Sequence, residues 1–321
     1  MKKIKPGRQI HDSCSEIPRP LRGIIPPMVT PLNGRDEIDF AGLERLIEHI
    51  ISGGVHGLFL LGTTGEAPSL SYHLRRELVK RSCRQVDGRV PVLVGITDTS
   101  FVESVNMAKV AADAGAQGVV LAPPYYFPAG QAELLEYLSH LAPELPLPLM
   151  LYNMPSHTKL VFEPETVRRA SEIPGIVGLK DSSGSMVYFH RLQILLEKRP
   201  DFTLLVGPEE LLGETVILGG HGGVNGGANL FPKLYVKLYE AAVAGKRGKI
   251  KELHRIVMLV SNTIYSAGHH GSSMIKGLKC ALEIEGICND FMAEPFHRFR
   301  EEERQLISEH LISIRPLCNK L

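Results

Sequence analysis

The sequence predicts a single α/β domain of the (β/α)8 barrel class, and three observations predict it. Eight short runs rich in Val, Ile and Leu alternate with longer segments of helical period, the pattern of repeated strand–helix units. Within the runs, apolar and polar residues hardly alternate, as expected of parallel strands covered on both faces. No dinucleotide-type glycine loop follows the first run, since Thr30-Pro31-Leu32-Asn33-Gly34 is not GxGxxG, and this argues against the rival doubly wound open sheet.

The runs occupy residues 24–29, 57–62, 90–95, 118–122, 147–152, 176–180, 202–207 and 222–225. The segments between them read as amphipathic helices. Leu43, Leu46, Ile47, Ile50 and Ile51 fall at i, i+3, i+4, i+7 and i+8, one apolar stripe for packing on a sheet. Asp39 and Ser100 read as N-caps, and Gly53 and Gly115 as helix stops. Residues 21–245 thus hold the barrel, residues 246–321 read as two or three further helices, and residues 1–20, with Pro6, Gly7, Pro18 and Pro20, read as a poorly ordered arm.

Composition narrows the function classes. The 321 residues are 44% hydrophobic and carry 36 basic against 35 acidic side chains, so nothing global points to nucleic acid or an anionic membrane. No apolar run approaches the roughly 18–20 residues of a membrane helix. The basic Met1-Lys2-Lys3-Ile4-Lys5 is followed by Pro6 and Gly7, where a signal peptide would have its apolar stretch. Five cysteines without CxxC spacing suggest neither a disulfide framework nor a zinc site. The expectation is a soluble cytoplasmic protein.

In a barrel, chemistry sits at the C-terminal ends of strands. The second run ends in Gly62-Thr63-Thr64-Gly65-Glu66, a tight loop whose N–H groups and Thr hydroxyls suit a carboxylate; the same spacing also occurs in ordinary turns. The fourth ends in Pro123-Pro124-Tyr125-Tyr126 and the fifth in Tyr152-Asn153-Met154-Pro155; a tyrosine there is either a packing residue or a proton donor. The sixth ends in Gly178-Leu179-Lys180-Asp181. Burial disfavours an ammonium, and a neutral lysine amine can attack a ketone to form an imine, an electron sink for making or breaking a neighbouring C–C bond. The bland readings of Lys180 are a snorkelling side chain, a salt bridge to Asp181 or a phosphate clamp. His269 and His270 are adjacent rather than i, i+4, so no metal site is expected.

Taken together, Gly62-Thr63-Thr64-Gly65-Glu66, Pro124-Tyr125-Tyr126, Tyr152-Asn153-Met154-Pro155 and Gly178-Leu179-Lys180-Asp181 resemble, in order and spacing, the dihydrodipicolinate synthase / N-acetylneuraminate lyase family. The resemblance runs from about Gly23 to the C-terminal helices and takes in Gly219-Gly220-His221-Gly222-Gly223-Val224 and the stretch Lys276-Gly277-Leu278-Lys279-Cys280-Ala281-Leu282. It implies a class I, Schiff-base lyase with no cofactor beyond the covalent imine on Lys180. It further implies that Thr63, Thr64 and Gly65 hold the carboxylate of pyruvate or another 2-keto acid, that Tyr152 moves protons, and that Thr63 and Tyr126 link Tyr152 to solvent. Tyr126 would be lent by a neighbouring subunit of a homotetramer, and Val224 would offer backbone contacts to the keto acid.

The second substrate, an aldehyde, turns on one departure. Lysine-pathway synthases of the family read PSRTG after the catalytic tyrosine, and this chain reads Pro155-Ser156-His157-Thr158-Lys159. Arginine offers a charged bidentate fork for the carboxylate of aspartate semialdehyde, whereas histidine is near neutral at pH 7. Lys159 offers a charge of its own. Lys180-Asp181-Ser182-Ser183-Gly184 also looks more like the aldolases and dehydratases of 2-keto-3-deoxy sugar acids or hydroxy-oxo acids. The expectation is therefore such an aldolase, with His157 in the substrate site, ahead of 4-hydroxy-tetrahydrodipicolinate synthase. A barrel that binds a keto acid as a regulator without turnover is the remaining class.

Overall fold

A computed structural model describes residues 17–321. Eight strands form one parallel sheet: β1 (Gly23–Ile24), β2 (Leu58–Leu60), β3 (Val92–Gly95), β4 (Gly118–Leu121), β5 (Leu149–Asn153), β6 (Ile176–Asp181), β7 (Thr203–Val206) and β8 (Gly222–Gly223), in the order β1-β8-β7-β6-β5-β4-β3-β2. The sheet curls, and its two edges are bridged. Pro27 pairs with Phe59, whose N–H donates to Pro26 C=O and whose C=O accepts from Met28 N–H, both at 2.9 Å. The strand expected over 24–29 is cut short because Pro26 and Pro27 have no N–H to give the ladder.

Burial follows the period of two that strands impose. Phe59, Leu93, Val120, Met150, Tyr152 and Leu205 point inside the curled sheet with Ile25 and Val224. Their neighbours Leu58, Leu60, Val92, Val94, Leu149, Leu151, Leu204 and Val206 point outward into the helix layer. Both sets are apolar, which is why the runs show no polar alternation. Each such side chain stabilises by about 1.5–3 kcal/mol on burial.

The helix Phe40–Ser52 buries Leu43, Leu46, Ile47 and Ile50 on the predicted stripe. Asp39 caps it, accepting from Gly42 N–H at 2.8 Å, and Ser100 caps Phe101–Asp113 through Glu103 N–H. Beyond β8 and the helix Pro232–Val243 come Arg247–Thr263, Ser273–Ile284 and Glu301–Cys318. The arm expected over residues 1–20 lies, for residues 1–16, outside the described residues. Its end needs correcting: Ile17 is buried with Leu21 inside the curled sheet, and Leu21 N–H donates to Thr203 Oγ1 at 2.8 Å. An apolar plug at the N-terminal end of the strands holds that stretch in place. No helix among the described residues is long and apolar enough to cross a membrane.

Candidate active site

The C-terminal ends of the strands open on a cavity of 210 Å³ whose wall includes Thr63, Thr64, Tyr152, His157, Lys180 and Val224. Lys180 enters from β6 and is 4% exposed. Its strand partner in register is Tyr152 of β5. Lys180 Nζ stands 4.0 Å from the Tyr152 ring centroid and 5.2 Å from that of Phe59. The two rings meet edge to face, with centroids 6.4 Å apart at 88°. Tyr152 and Phe59 thus form an aromatic floor that keeps the lysine stem extended toward the cavity. Among the described residues Lys180 forms no salt bridge, Asp181 included.

Asp181 faces the other way, as the next residue of a strand must. It accepts from Asn153 Nδ2 at 2.8 Å and from the N–H and hydroxyl of Ser183, and burial raises its pKa above the ordinary carboxylate value. Asn153 also accepts from Phe162 N–H at 3.1 Å. One buried amide therefore ties both ends of the excursion 154–161, which carries His157, to β6.

Thr63 Oγ1 and Tyr152 Oη lie 3.2 Å apart, within reach of one shared proton. The glycine loop closes on itself through Gly65 N–H to Gly62 C=O and Glu66 N–H to Thr63 C=O. Among the described residues the N–H groups of Thr63 and Thr64 donate to no protein acceptor, and both residues line the cavity. Gly65, expected to touch substrate, sits behind this rim instead: its C=O accepts from Thr30 Oγ1 at 2.7 Å, and an added Cβ would lie 2.9 Å from Met28 C=O. Its part is close packing. Val224 lines the cavity with its N–H already given to Val206 C=O at 2.8 Å, which leaves its carbonyl as the one backbone group it could offer a ligand.

Two expected residues lie apart. Tyr126 is 76% exposed, edge-stacked on Phe127, and no part of the cavity wall of its own chain. Tyr125 and Thr97 instead line a second cavity of 260 Å³ that shares Thr63, Tyr152 and His157 with the first. Lys159 is no part of the cavity wall: its backbone is left-handed, φ +60°, and its Nζ bonds back to Ser156 C=O at 2.7 Å, so its charge reaches the site only through the His157 ring. His157 Nδ1 lies 3.0 Å from Ser156 Oγ, and burial and then Lys159 lower its pKa, which favours the neutral ring.

Sequence reasoning missed the acidic side of the cavity. Glu209 and Glu210, just past the end of β7, line it with Tyr265 and Met274 from the C-terminal helices. Glu209 is buried; it accepts from the hydroxyls of Tyr235 and Tyr265 and from Gly227 N–H, and burial pushes its pKa up to about 7. The strand-end rule that found Lys180 also points to these carboxyls. Tyr265 and Met274 had no such signal, because they reach the cavity only through tertiary packing. Among the described residues Lys180 is the sole lysine or arginine in the wall.

Known proteins resemble this chain along nearly its whole length. The sequence model of the dihydrodipicolinate synthetase family matches residues 20–314. A 4-hydroxy-tetrahydrodipicolinate synthase of Methanopyrus kandleri is 32% identical over 294 residues, 91% of this chain and 95% of its own. One of Salinibacter ruber is 36% identical over 235 residues, 73% of this chain and 77% of its own. Among solved structures, a dihydrodipicolinate synthase from Bacteroides thetaiotaomicron is 58% identical, with a TM-score of 0.90 over 92% of this chain and 99% of that one. A prophage protein of the same family from E. coli K12, solved in complex with pyruvate, is 29% identical with a TM-score of 0.86 over 92% and 98%. The chain belongs to the dihydrodipicolinate synthetase family and is a lyase of that family.

Proposed function

We propose that this chain, on a closed (β/α)8 barrel, forms a Schiff base between Lys180 and pyruvate and joins the resulting enamine to an aldehyde. The observation that carries the reading is the meeting of Lys180 Nζ, the Tyr152–Thr63 hydroxyl pair and the unpaired Thr63 and Thr64 N–H groups at one cavity. A carboxylate on those N–H groups would orient the neighbouring ketone carbon toward Nζ. The amine adds to C2, and the carbinolamine oxygen leaves as water after taking a proton from Tyr152. The Tyr152 phenolate so formed takes a C3 proton from the iminium to give the enamine, whose C3 attacks the aldehyde carbon while Tyr152 returns that proton to the aldehyde oxygen. Water then adds to the iminium, reprotonates Tyr152, and releases the product and the free lysine. Thr63, within hydrogen-bond reach of Tyr152, exchanges protons with it and so restores its hydroxyl between steps. The exposure of Tyr126 supports its supply to a neighbouring copy in a homotetramer, where it would extend that relay.

The relatives support aspartate semialdehyde as the aldehyde, hence 4-hydroxy-tetrahydrodipicolinate synthase activity, and this places the synthase above the aldolase that the sequence alone favoured. The cavity wall supports a second reading. Among the described residues it has no arginine for the semialdehyde carboxylate; it has a neutral-leaning His157 and the acidic Glu209 and Glu210, which suit hydroxyl groups better than a second anion. Cleavage of 2-keto-3-deoxy sugar acids fits that wall.

Borohydride reduction with pyruvate tests the shared step: wild type gains a covalent pyruvyl mass and Lys180→Ala does not. No adduct on wild type, or one on Lys180→Ala, refutes it. Comparing aspartate semialdehyde condensation with pyruvate release from a panel of 2-keto-3-deoxy acids then decides between the two readings.

A further inference from the structure

Lys279, in the C-terminal stretch that carries the family resemblance without a role, is fully buried 213 residues away from its partner Glu66. Its three ammonium protons are all used, on Glu66 Oε1 at 2.7 Å, Thr30 C=O at 2.9 Å and Phe291 C=O. The other carboxylate oxygen of Glu66 accepts from Ala293 N–H at 2.8 Å. Glu66 is the last residue of the Gly62–Glu66 loop and stands in the left-handed region, φ +57°. Its own N–H closes the loop on Thr63 C=O, and Thr30, held by Lys279, clamps Gly65 C=O from below. Neither Glu66 nor Lys279 lines either cavity at the site.

A buried ion pair is poor value as bulk stabilisation, since desolvating both charges offsets most of their attraction. It is, however, stiff: five groups from four separate stretches of chain are fixed in direction at one point. That point is the back of the loop whose front offers the Thr63 and Thr64 N–H groups. We propose that Glu66 and Lys279 are positioning residues that hold those N–H groups at the spacing a keto-acid carboxylate needs, an inference that rests on the Schiff-base reading above. The C-terminal helices would then act on the chemistry through the carboxylate grip, not through contact with substrate.

The test compares two ketones that differ only in charge at the grip, pyruvate and methyl pyruvate, by borohydride trapping as a function of concentration. Variants are Glu66→Gln and the double Glu66→Gln/Lys279→Met, which removes both charges and so leaves neither buried alone; thermal melting shows which are folded at the assay temperature. In folded variants the half-saturating pyruvate concentration should rise about 10- to 100-fold, the worth of a misplaced hydrogen bond to a charged group. Methyl pyruvate should stay within about twofold, as should kcat at saturating pyruvate. A purely structural pair predicts that the double variant regains wild-type pyruvate binding, and that result overturns the proposal. Equal weakening of both ketones overturns it too. A wild-type chain that traps neither ketone refutes the Schiff-base reading, and the pair's role with it.

Discussion

Replacing Tyr152 with phenylalanine removes one oxygen and leaves the ring. That ring holds the floor under Lys180, 4.0 Å from Nζ, and the edge contact with Phe59, so the lysine stays where it is. What goes is the hydroxyl 3.2 Å from Thr63 Oγ1 and any proton it delivers to the leaving oxygen. A positioned proton donor is worth about 10²- to 10⁴-fold in rate, or roughly 2.7–5.4 kcal/mol of barrier. Steady-state kcat with pyruvate and the aldehyde should fall by that factor in Tyr152→Phe, while melting temperature changes little. Thr63→Val, which breaks the same hydrogen bond one step further from the substrate, should cost about tenfold, the value of one hydrogen bond. Borohydride trapping, given long incubation, should still mark Lys180 in both variants, because the amine is intact. A Tyr152→Phe enzyme with undiminished kcat refutes the assignment, whatever its KM.

Other expectations follow from single residues. Phe189 is buried in the helix layer, and Phe189→Ala should cost about 3–5 kcal/mol in chemical denaturation; a midpoint equal to wild type would contradict its burial. Glu209 holds its proton up to about pH 7 when folded, against 4.5 ordinarily. Between those values the folded chain binds a proton that the unfolded chain has released, so this group's contribution to stability falls as pH rises through the window and is flat above it. The melting point of wild type should therefore drop with pH relative to Glu209→Gln, and parallel profiles would refute the raised value. His157→Arg should raise kcat/KM for aspartate semialdehyde by supplying the bidentate cation that the wall lacks; unchanged kinetics would show that position 157 does not meet the aldehyde.

Much of this was written in local sequence. Parallel strands buried on both faces leave uninterrupted apolar runs, so 92–95 and 118–121 were legible as strands, and the caps Asp39 and Ser100 announced their helices. The candidate site residues Lys180 and Tyr152, on strand ends, and Thr63, in the loop after one, were legible because a barrel gathers strand ends and the loops that follow them at one face. Illegible were features made by contact between distant stretches. Ile17 looked like part of a polar, proline-broken arm, yet it fills the floor of the sheet. Gly65 looked like a substrate contact but is a packing residue. Glu209 is set apart from an ordinary surface glutamate by burial against Gly227, Tyr235 and Tyr265, 18, 26 and 56 residues on.

Strand β6 carries a lysine and an aspartate on consecutive residues, and the pleat sends them to opposite faces. Its length is therefore under tighter constraint than its composition. A one-residue insertion or deletion ahead of Lys180 would exchange the two faces, putting Asp181 into the cavity and lysine among the helices. Both the proposed nucleophile and the Asn153 anchor of the neighbouring loop would be lost in one event. Length changes should be tolerated in the excursion 154–161 and selected against in β6. On the proposed function, variation in substrate choice is thereby free to accumulate in a stretch where it cannot shift Lys180 out of register.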